Sequence, residues 1–315
     1  MIATNKLIPT LTLILVFILI FFVISTNYKL NKSDSIILDI PKGSNVSTIA
    51  DQLYKNDLIL SSYLFRIYTR VSFSDEILKA GEYEFTASES IRTIVNKLVN
   101  GNIFYRKLIL LPGLTLQNIM DLGASEGLVN DLENKDLLLE EGSFYPDTYF
   151  YLKGDSFASI LLKSQETWKL LSQKLWKERD ANLPYKSLNE AITLASIIEK
   201  EGVEKNKIAG VFVNRLRKGM KLQSDPTVIY ALGPKFDGDL RKNDLQIDSP
   251  YNTYRNKGLP PGPISIVSED SLQAALKPLQ TDYLYFVSMG NGFHKFSKTL
   301  SEHNEAVLKY QINGR

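Results

Sequence analysis

SIILDIPKGSNVSTIADQLYKNDLI, residues 35–59, sets out the pattern from which the fold class is read. SIILDI reads as a strand, Pro41-Lys42-Gly43 as a turn, and the remainder as an amphipathic helix. LILLPGLTLQNIMDLGASEGLV (108–129) repeats the scheme: a strand, Pro112-Gly113, Thr115 as N-cap, then Ile119, Leu122 and Leu128 on one helical face. The likeness is a weak internal duplication. Between the two, KAGEYEFTASESIRTIVNKLVNG (79–101) predicts another strand and a helix capped by Ser88 or Ser90, with Ile91, Ile94, Val95 and Leu98 as its apolar stripe. Short strands and helices alternating in this way predict an α+β protein.

Towards the N-terminus, the 22 residues between Lys6 and Lys29 carry no formal charge and centre on LTLILVFILIFFVI (11–24). At about 1.5 Å per residue they reach roughly 33 Å, enough for a hydrocarbon core of roughly 30 Å, and predict a transmembrane helix. The exit Ser25-Thr26-Asn27-Tyr28 offers no A-x-A-like cleavage site, which favours an anchor over a cleaved signal peptide. Lys6 stands on one side and Lys29 and Lys32 on the other, so the positive-inside count does not choose an orientation.

Towards the C-terminus the texture changes at EGSFYPDTYFY (141–151), which is aromatic and turn-forming. An amphipathic helix over 156–179 follows, with Ile160, Leu161, Trp168, Leu171 and Leu175 inward, and then a helix over 187–201 opened by a Ser187/Glu190 capping box. DYLYFVSMG (282–290) reads as a half-buried strand. The expected division is an N-terminal tip and anchor (1–28), a polar stalk (29–34), a small α+β module or modules (35–140) and a mixed α+β domain (141–315).

The 315 residues are 44% hydrophobic and 23% charged, enough for two or three modest domains. With 37 basic against 35 acidic side chains the net charge is +2, which leaves no field to hold nucleic acid. The chain has no cysteine, which excludes disulfides, thiolate nucleophiles and cysteine-bound metal. Its two histidines, His294 and His303, have neither i, i+4 spacing nor an obvious third ligand, so no metal and no cofactor is expected.

Chemistry concentrates at EAITLASIIEKEGVEK (190–205). Ala191, Leu194, Ile197 and Ile198 form an apolar face with Lys200 opposite, and Glu199 and Glu201 stand on its two shoulders, each about 70 to 90° from its centre. Periodicity does not choose between them. KLQSDPTVIYALG (221–233) and SPYNTYRNKGLPPGPI (249–264) add Gln223, Ser224, Asp225, Tyr230, Asn252, Thr253 and Tyr254, the amide, carboxylate and aromatic groups that suit a saccharide. Asp225 before Pro226 also fits the N-cap of a helix starting at Thr227, and Tyr251 and Tyr254 also fit core aromatics.

LASIIEKEG (194–202), GVFVNRLRKGMKLQSDPTVIYALG (210–233), SPYNTYRNKGLPPGPIS (249–265) and YLYFVSMGNGFHKFSKTLSEHN (283–304) together resemble the YceG-like family of endolytic murein transglycosylases. The resemblance spans the chain and implies a LysM-like region near 36–106. It implies cleavage of the β-1,4 bond between N-acetylmuramic acid and N-acetylglucosamine inside peptidoglycan strands, giving 1,6-anhydro ends and terminating or trimming nascent strands. It places the catalytic acid/base on Glu201, the second glutamate of the E-K-E pair, and makes Glu199, Gln223, Asp225, Tyr230, Asn252 and Tyr254 candidates for holding or orienting the sugar. It sets His294 and His303 as structural braces. It also implies a single-pass location in the bacterial cytoplasmic membrane with the catalytic domain outside, and contact with penicillin-binding proteins. Gly202 stands where the family usually has serine or threonine, and Pro112 where a glutamate is common. Two rivals remain: a noncatalytic peptidoglycan-binding scaffold, and a two-carboxylate hydrolase in which Glu201 pairs with Asp225 or Glu199.

Overall fold

The computed structural model describes residues 4–29, 34–73, 78–86, 88–134, 137–290 and 292–312. Most of the expected stalk, residues 30–33, lies outside them. The chain divides into two compact units, Met1–Arg106 with Tyr151–Lys153, and Lys107–Phe150 with Gly154–Arg315.

The first unit opens with α1 (Thr4–Asn27), a helix of 24 residues, long and apolar enough to serve as a membrane anchor or a signal sequence. β1 (Ser35–Ile40) pairs antiparallel with β2 (Gly81–Thr86), from Ser35 opposite Thr86 to Ile40 opposite Gly81. Between them lie α2 (Val46–Lys55) and α3 (Ser62–Ser72), and α4 (Ile91–Asn100) follows β2. Asn45, Ser61 and Ser90 cap the three helices by accepting from Thr48, Leu64 and Thr93 N–H, so the choice between Ser88 and Ser90 falls on Ser90. Asp57, at φ 55°, reverses the chain after α2 and lets Leu58 N–H reach Leu53 O. The core beneath the sheet includes Ile49, Leu53, Phe65, Phe85, Ile94 and Leu98, each fully buried and each contributing about 1.5–3 kcal/mol.

β3 (Arg106–Ile109) and β4 (Thr148–Tyr151), all but one residue of each in the second unit, form a short sheet, with α5 (Leu116–Ser125) between them in the chain. Thr115 caps α5 reciprocally with Asn118. Residues 107–140, grouped from the sequence with the N-terminal module, pack in this unit. Leu110 N–H donates to Asp147 O, Gly113 N–H to Ile266 O and Ile266 N–H to Leu114 O, pairings between distant segments that local periodicity does not announce.

α6 (Phe157–Lys177) begins at Ser156 and buries Leu161, Trp168 and Leu175. α7 (Leu188–Glu201) follows, then α8 (Lys205–Arg217), α9 (Asp225–Leu232) and α10 (Glu269–Leu276). The expected strand 282–290 shortens to β5 (Tyr285–Ser288), paired antiparallel with β6 (His294–Ser297). α11 (Leu300–Val307) continues into a π turn, Leu308–Ile312. α7 is the centre: every residue from Ala191 to Ile198 is buried, because α6, α8, α9 and α10 surround it. The expected apolar face is buried and Lys200 is exposed, but burial extends past that face: Thr193 and Ser196 are buried too, their hydroxyls donating back to Asn189 O and Thr193 O.

Candidate active site

α7 starts where the sequence places it, with Ser187 accepting from Glu190 N–H while the Glu190 carboxylate accepts from Ser187 N–H. Its last residue is Glu201. Gly202 ends it at φ 145°, ψ −162°, a region essentially confined to glycine. A β-carbon there would stand 3.1 Å from His294 Cε1. Gly202→Ala is therefore expected to destabilise the chain by about 1–3 kcal/mol, measured as a lowered denaturation midpoint. The glycine suits its place because the His294 ring occupies the space of a side chain.

Glu201 lines a cavity of about 500 Å³ together with Gln223, Asp225, Tyr254, Tyr285 and His294. Its Oε1 accepts from Ser224 Oγ at 2.5 Å. Burial pushes the carboxyl up to about 7; the Ser224 hydrogen bond opposes that rise, the neighbouring Asp225 charge adds to it, and the Arg215 charge opposes it. The group therefore passes between acid and carboxylate near neutral pH.

Arg215, 7% exposed, is held by Leu284 O (2.6 Å) and Leu222 O (2.7 Å), with its guanidinium 5.2 Å from the Tyr285 ring centre. It joins α8, the loop before α9 and β5 into one wall.

The loop before α9 carries local strain. Gln223 stands at φ 53°, left-handed for a residue with a side chain, and its N–H donates to Thr253 O. That kink turns the buried Ser224 so that its N–H donates to Thr253 Oγ1 while its hydroxyl reaches Glu201. Asp225 is the first residue of α9 with Ser224 as N-cap, so the capping role expected of Asp225 is not what the structure shows. Its Oδ1 instead accepts from Tyr254 Oη at 2.5 Å, at the cavity rim. Burial, then the hydrogen bond to Asp225 and that carboxylate's charge, raise the Tyr254 phenol above its ordinary value, so it remains a donor.

Opposite shifts follow for two substitutions. Ser224→Ala removes a hydrogen bond that favours the carboxylate, so the Glu201 pKa rises; Asp225→Asn removes a charge that disfavours it, so the pKa falls. Carboxyl NMR titrations of the two variants check the signs.

The other candidates lie elsewhere. Glu199 accepts from Ser268 N–H (2.9 Å), Ser268 Oγ (2.5 Å) and Lys205 Nζ (3.0 Å), tying the end of α7 to the start of α10. Asn252 is fully buried, its Nδ2 donating to Leu245 O and Ile247 O and its Oδ1 accepting from Tyr254 N–H, so it folds the loop that presents Tyr254. Tyr230 donates to Glu141 Oε2 at 3.3 Å and packs on Tyr251, ring centres 4.9 Å apart. A cavity of about 560 Å³ opens beside Glu141. Burial raises that carboxyl as well, but one oxygen accepts from Leu116 N–H and the other from Tyr230, which suits a brace at the start of α5.

Sequence reasoning did not single out Ser224 as the partner of Glu201, nor Arg215. It read both histidines as braces at the end of the domain, whereas both line the Glu201 cavity. Glu204 accepts from His294 N–H at 2.7 Å and stands 3.5 Å from its Nδ1, and His303 stacks on Tyr285 at 5.2 Å. Burial, and then the Arg215 charge, lower the His303 pKa, leaving its ring neutral near pH 7. The legible signal was their shared motif with Tyr285.

Comparison with known proteins joins these pieces. The YceG-like family profile matches residues 38–309. A Bacillus subtilis (strain 168) protein named endolytic murein transglycosylase is 37% identical over 313 residues, covering 87% of this chain and 84% of the relative. A Streptococcus pneumoniae (strain D39) protein of the same name is 28% identical over 332 residues, covering 89% of this chain, which spans 59% of that relative's length. The crystal structure of a YceG-like protein from Listeria monocytogenes superposes with a TM-score of 0.56 at 35% identity, over 88% of this chain and 100% of that one. The match runs from the first strand to the last helix and includes α7 with its terminal Glu201, and on that ground the chain belongs to the YceG-like family.

Proposed function

We propose that this protein is an endolytic lytic transglycosylase that cleaves the β-1,4 bond between N-acetylmuramic acid and N-acetylglucosamine within peptidoglycan strands, with Glu201 as its single acid/base. The observation that carries the reading is the Glu201 carboxyl lining a cleft and accepting from Ser224 Oγ, where burial pushes its pKa up to about 7. As an acid Glu201 gives its proton to the departing glycosidic oxygen while the C1–O bond breaks. As the resulting carboxylate it takes the proton of the muramic C6 hydroxyl, whose oxygen closes on C1 to give a 1,6-anhydro end. A group poised near neutral pH serves both steps, and no water enters the product. Gln223, Asp225 and Tyr254 at the cleft are the proposed sugar-binding groups; Glu199, Tyr230 and Asn252 support them from outside it.

The names of the Bacillus and Streptococcus relatives support the reaction class. The first unit, with two helices between its paired strands, is the proposed LysM-like glycan-holding module, and the catalytic domain belongs to the second. α1 is the proposed single-pass anchor in the cytoplasmic membrane, with both units outside, where nascent strands are trimmed beside their penicillin-binding synthases.

Asp225 keeps one second reading in view, because it shares the cleft with Glu201 and a conventional hydrolase uses two carboxylates. Mass spectrometry of purified glycan strands after incubation separates the readings. Products lighter by one water, with anhydro ends, support the transglycosylase. Hydrated reducing ends support the hydrolase, and intact strands indicate a binding scaffold.

A further inference from the structure

The outer end of α1 does not stand clear of the first unit. Phe22, Ser25 and Thr26, spaced i, i+3, i+4, form a face turned toward the module; Thr26 is 2% exposed, and the Phe22 ring lies 6.1 Å from that of Tyr68 on α3. Phe21 and Ile24 line a groove with Leu58, Leu60 and Leu64. Thr26 Oγ1 donates to Phe22 O and Asn27 Nδ2 to Val23 O, so these two polar side chains find partners within the helix, as an apolar surrounding demands.

Geometry then limits where the module can sit. The charge-free run reaches roughly 33 Å and the hydrocarbon core roughly 30 Å, so sliding the helix gains only about 3 Å. Phe22 lies six residues before the end of that run and therefore roughly 6–9 Å beneath the hydrocarbon edge wherever the run is placed. Its partner Tyr68 must lie near that depth or at the edge.

The surface of α3 and its approach fit such a place. Leu60, Tyr63 and Val71 are 57%, 68% and 71% exposed, which is costly in water without a partner. Tyr63, Arg66 and Arg70, spaced i, i+3, i+7, join them as an exposed stripe, with Arg66 shared with Asp51 at 3.1 Å. Tyrosine rings and long guanidinium side chains over an apolar base belong to the headgroup layer.

We propose that the stripe formed by Leu60, Tyr63, Arg66, Arg70 and Val71 rests in the headgroup layer of the leaflet from which α1 emerges, so that the first unit lies on the bilayer. The proposal rests on reading α1 as an anchor and does not depend on orientation or on catalysis.

The absence of native cysteine makes single-site labelling direct. The full-length chain carrying Phe17→Cys, Tyr63→Cys, Val71→Cys or Asp239→Cys is labelled with a nitroxide and reconstituted in lipid nanodiscs. Collision with oxygen and with a water-soluble nickel chelate is then read by electron paramagnetic resonance. Labels at 63 and 71 are expected to lose access to the chelate relative to the label at 239 while keeping access to oxygen, with 17 the most oxygen-rich. A lipid-like label at 17 with water-like labels at 63 and 71 overturns the docking and leaves the anchor standing. A water-like label at 17 overturns the anchor, and the docking with it.

Discussion

Glu201→Gln is expected to lower cleavage of purified glycan strands by roughly a thousandfold or more while leaving the chain folded, since positioned acid–base groups contribute roughly 10²–10⁴-fold and the proposed mechanism uses one group for both proton transfers. The amide keeps the size of the side chain and can still accept from Ser224. Stability should move the other way. The folded pKa of about 7 lies above the ordinary carboxyl value of 4.5, so the stabilisation from the protonated group is complete below 4.5 and is lost as pH rises through 7. By pH 8 that loss is on the order of 2 kcal/mol once partial exposure is allowed for. The glutamine variant does not titrate, so its Tm relative to the parent should rise between pH 5 and pH 8, by roughly 4–8 °C for a unit of this size. Mass spectrometry of the digested strands and thermal melts at the two pH values read both effects. Retained cleavage would remove Glu201 from its role.

Two residues earlier the expectation reverses. Glu199→Ala should cost about 3 kcal/mol of stability, because it leaves Lys205 beside Ser268 without its anion and strips the start of α10 of its acceptor. Burial works to raise the Glu199 pKa, but the Ser268 and Lys205 hydrogen bonds outweigh it and hold the carboxyl below its ordinary value. The stabilisation is therefore present above pH 4.5 and lost as pH falls through the lowered pKa. Below the melting transition, turnover per folded molecule should stay within about tenfold of the parent, since Glu199 is absent from the cleft. Thermal melts together with kcat on folded protein check this. A kcat loss as deep as that of Glu201→Gln, with an unchanged melt, would show that the two glutamates had been assigned in the wrong order.

Much of the local structure was legible because its causes are local. The Ser187/Glu190 box, the Thr115 cap and the Ser156 start of α6 follow from side chains reaching N–H groups three residues on. Asp225 was read against the same rule and the rule misled: Ser224 is the N-cap, and the Asp225 carboxylate is drawn to the Tyr254 hydroxyl, 29 residues away. The apolar face read for α7 is buried as expected, but burial extends beyond it: four neighbouring helices also cover Thr193 and Ser196, whose hydroxyls bond back into the helix.

The amino-acid sequence by itself determined the apolar run of α1, the alternation of short strands and helices, and a helix ending on two glutamates with equal claims. Those features depend on contacts within a few residues or on composition summed along a segment. Periodicity left the two glutamates equal and the family motif favoured Glu201; the tertiary structure gives the two carboxylates different surroundings. Ser268, 69 residues from Glu199, turns that carboxylate into a helix brace, while Ser224, 23 residues from Glu201, and a strained Gln223 hold the other in a cleft where burial pushes its pKa up to about 7. The two side chains differ in what the rest of the chain brings to them, and desolvation and distant hydrogen bonds are written in no local pattern.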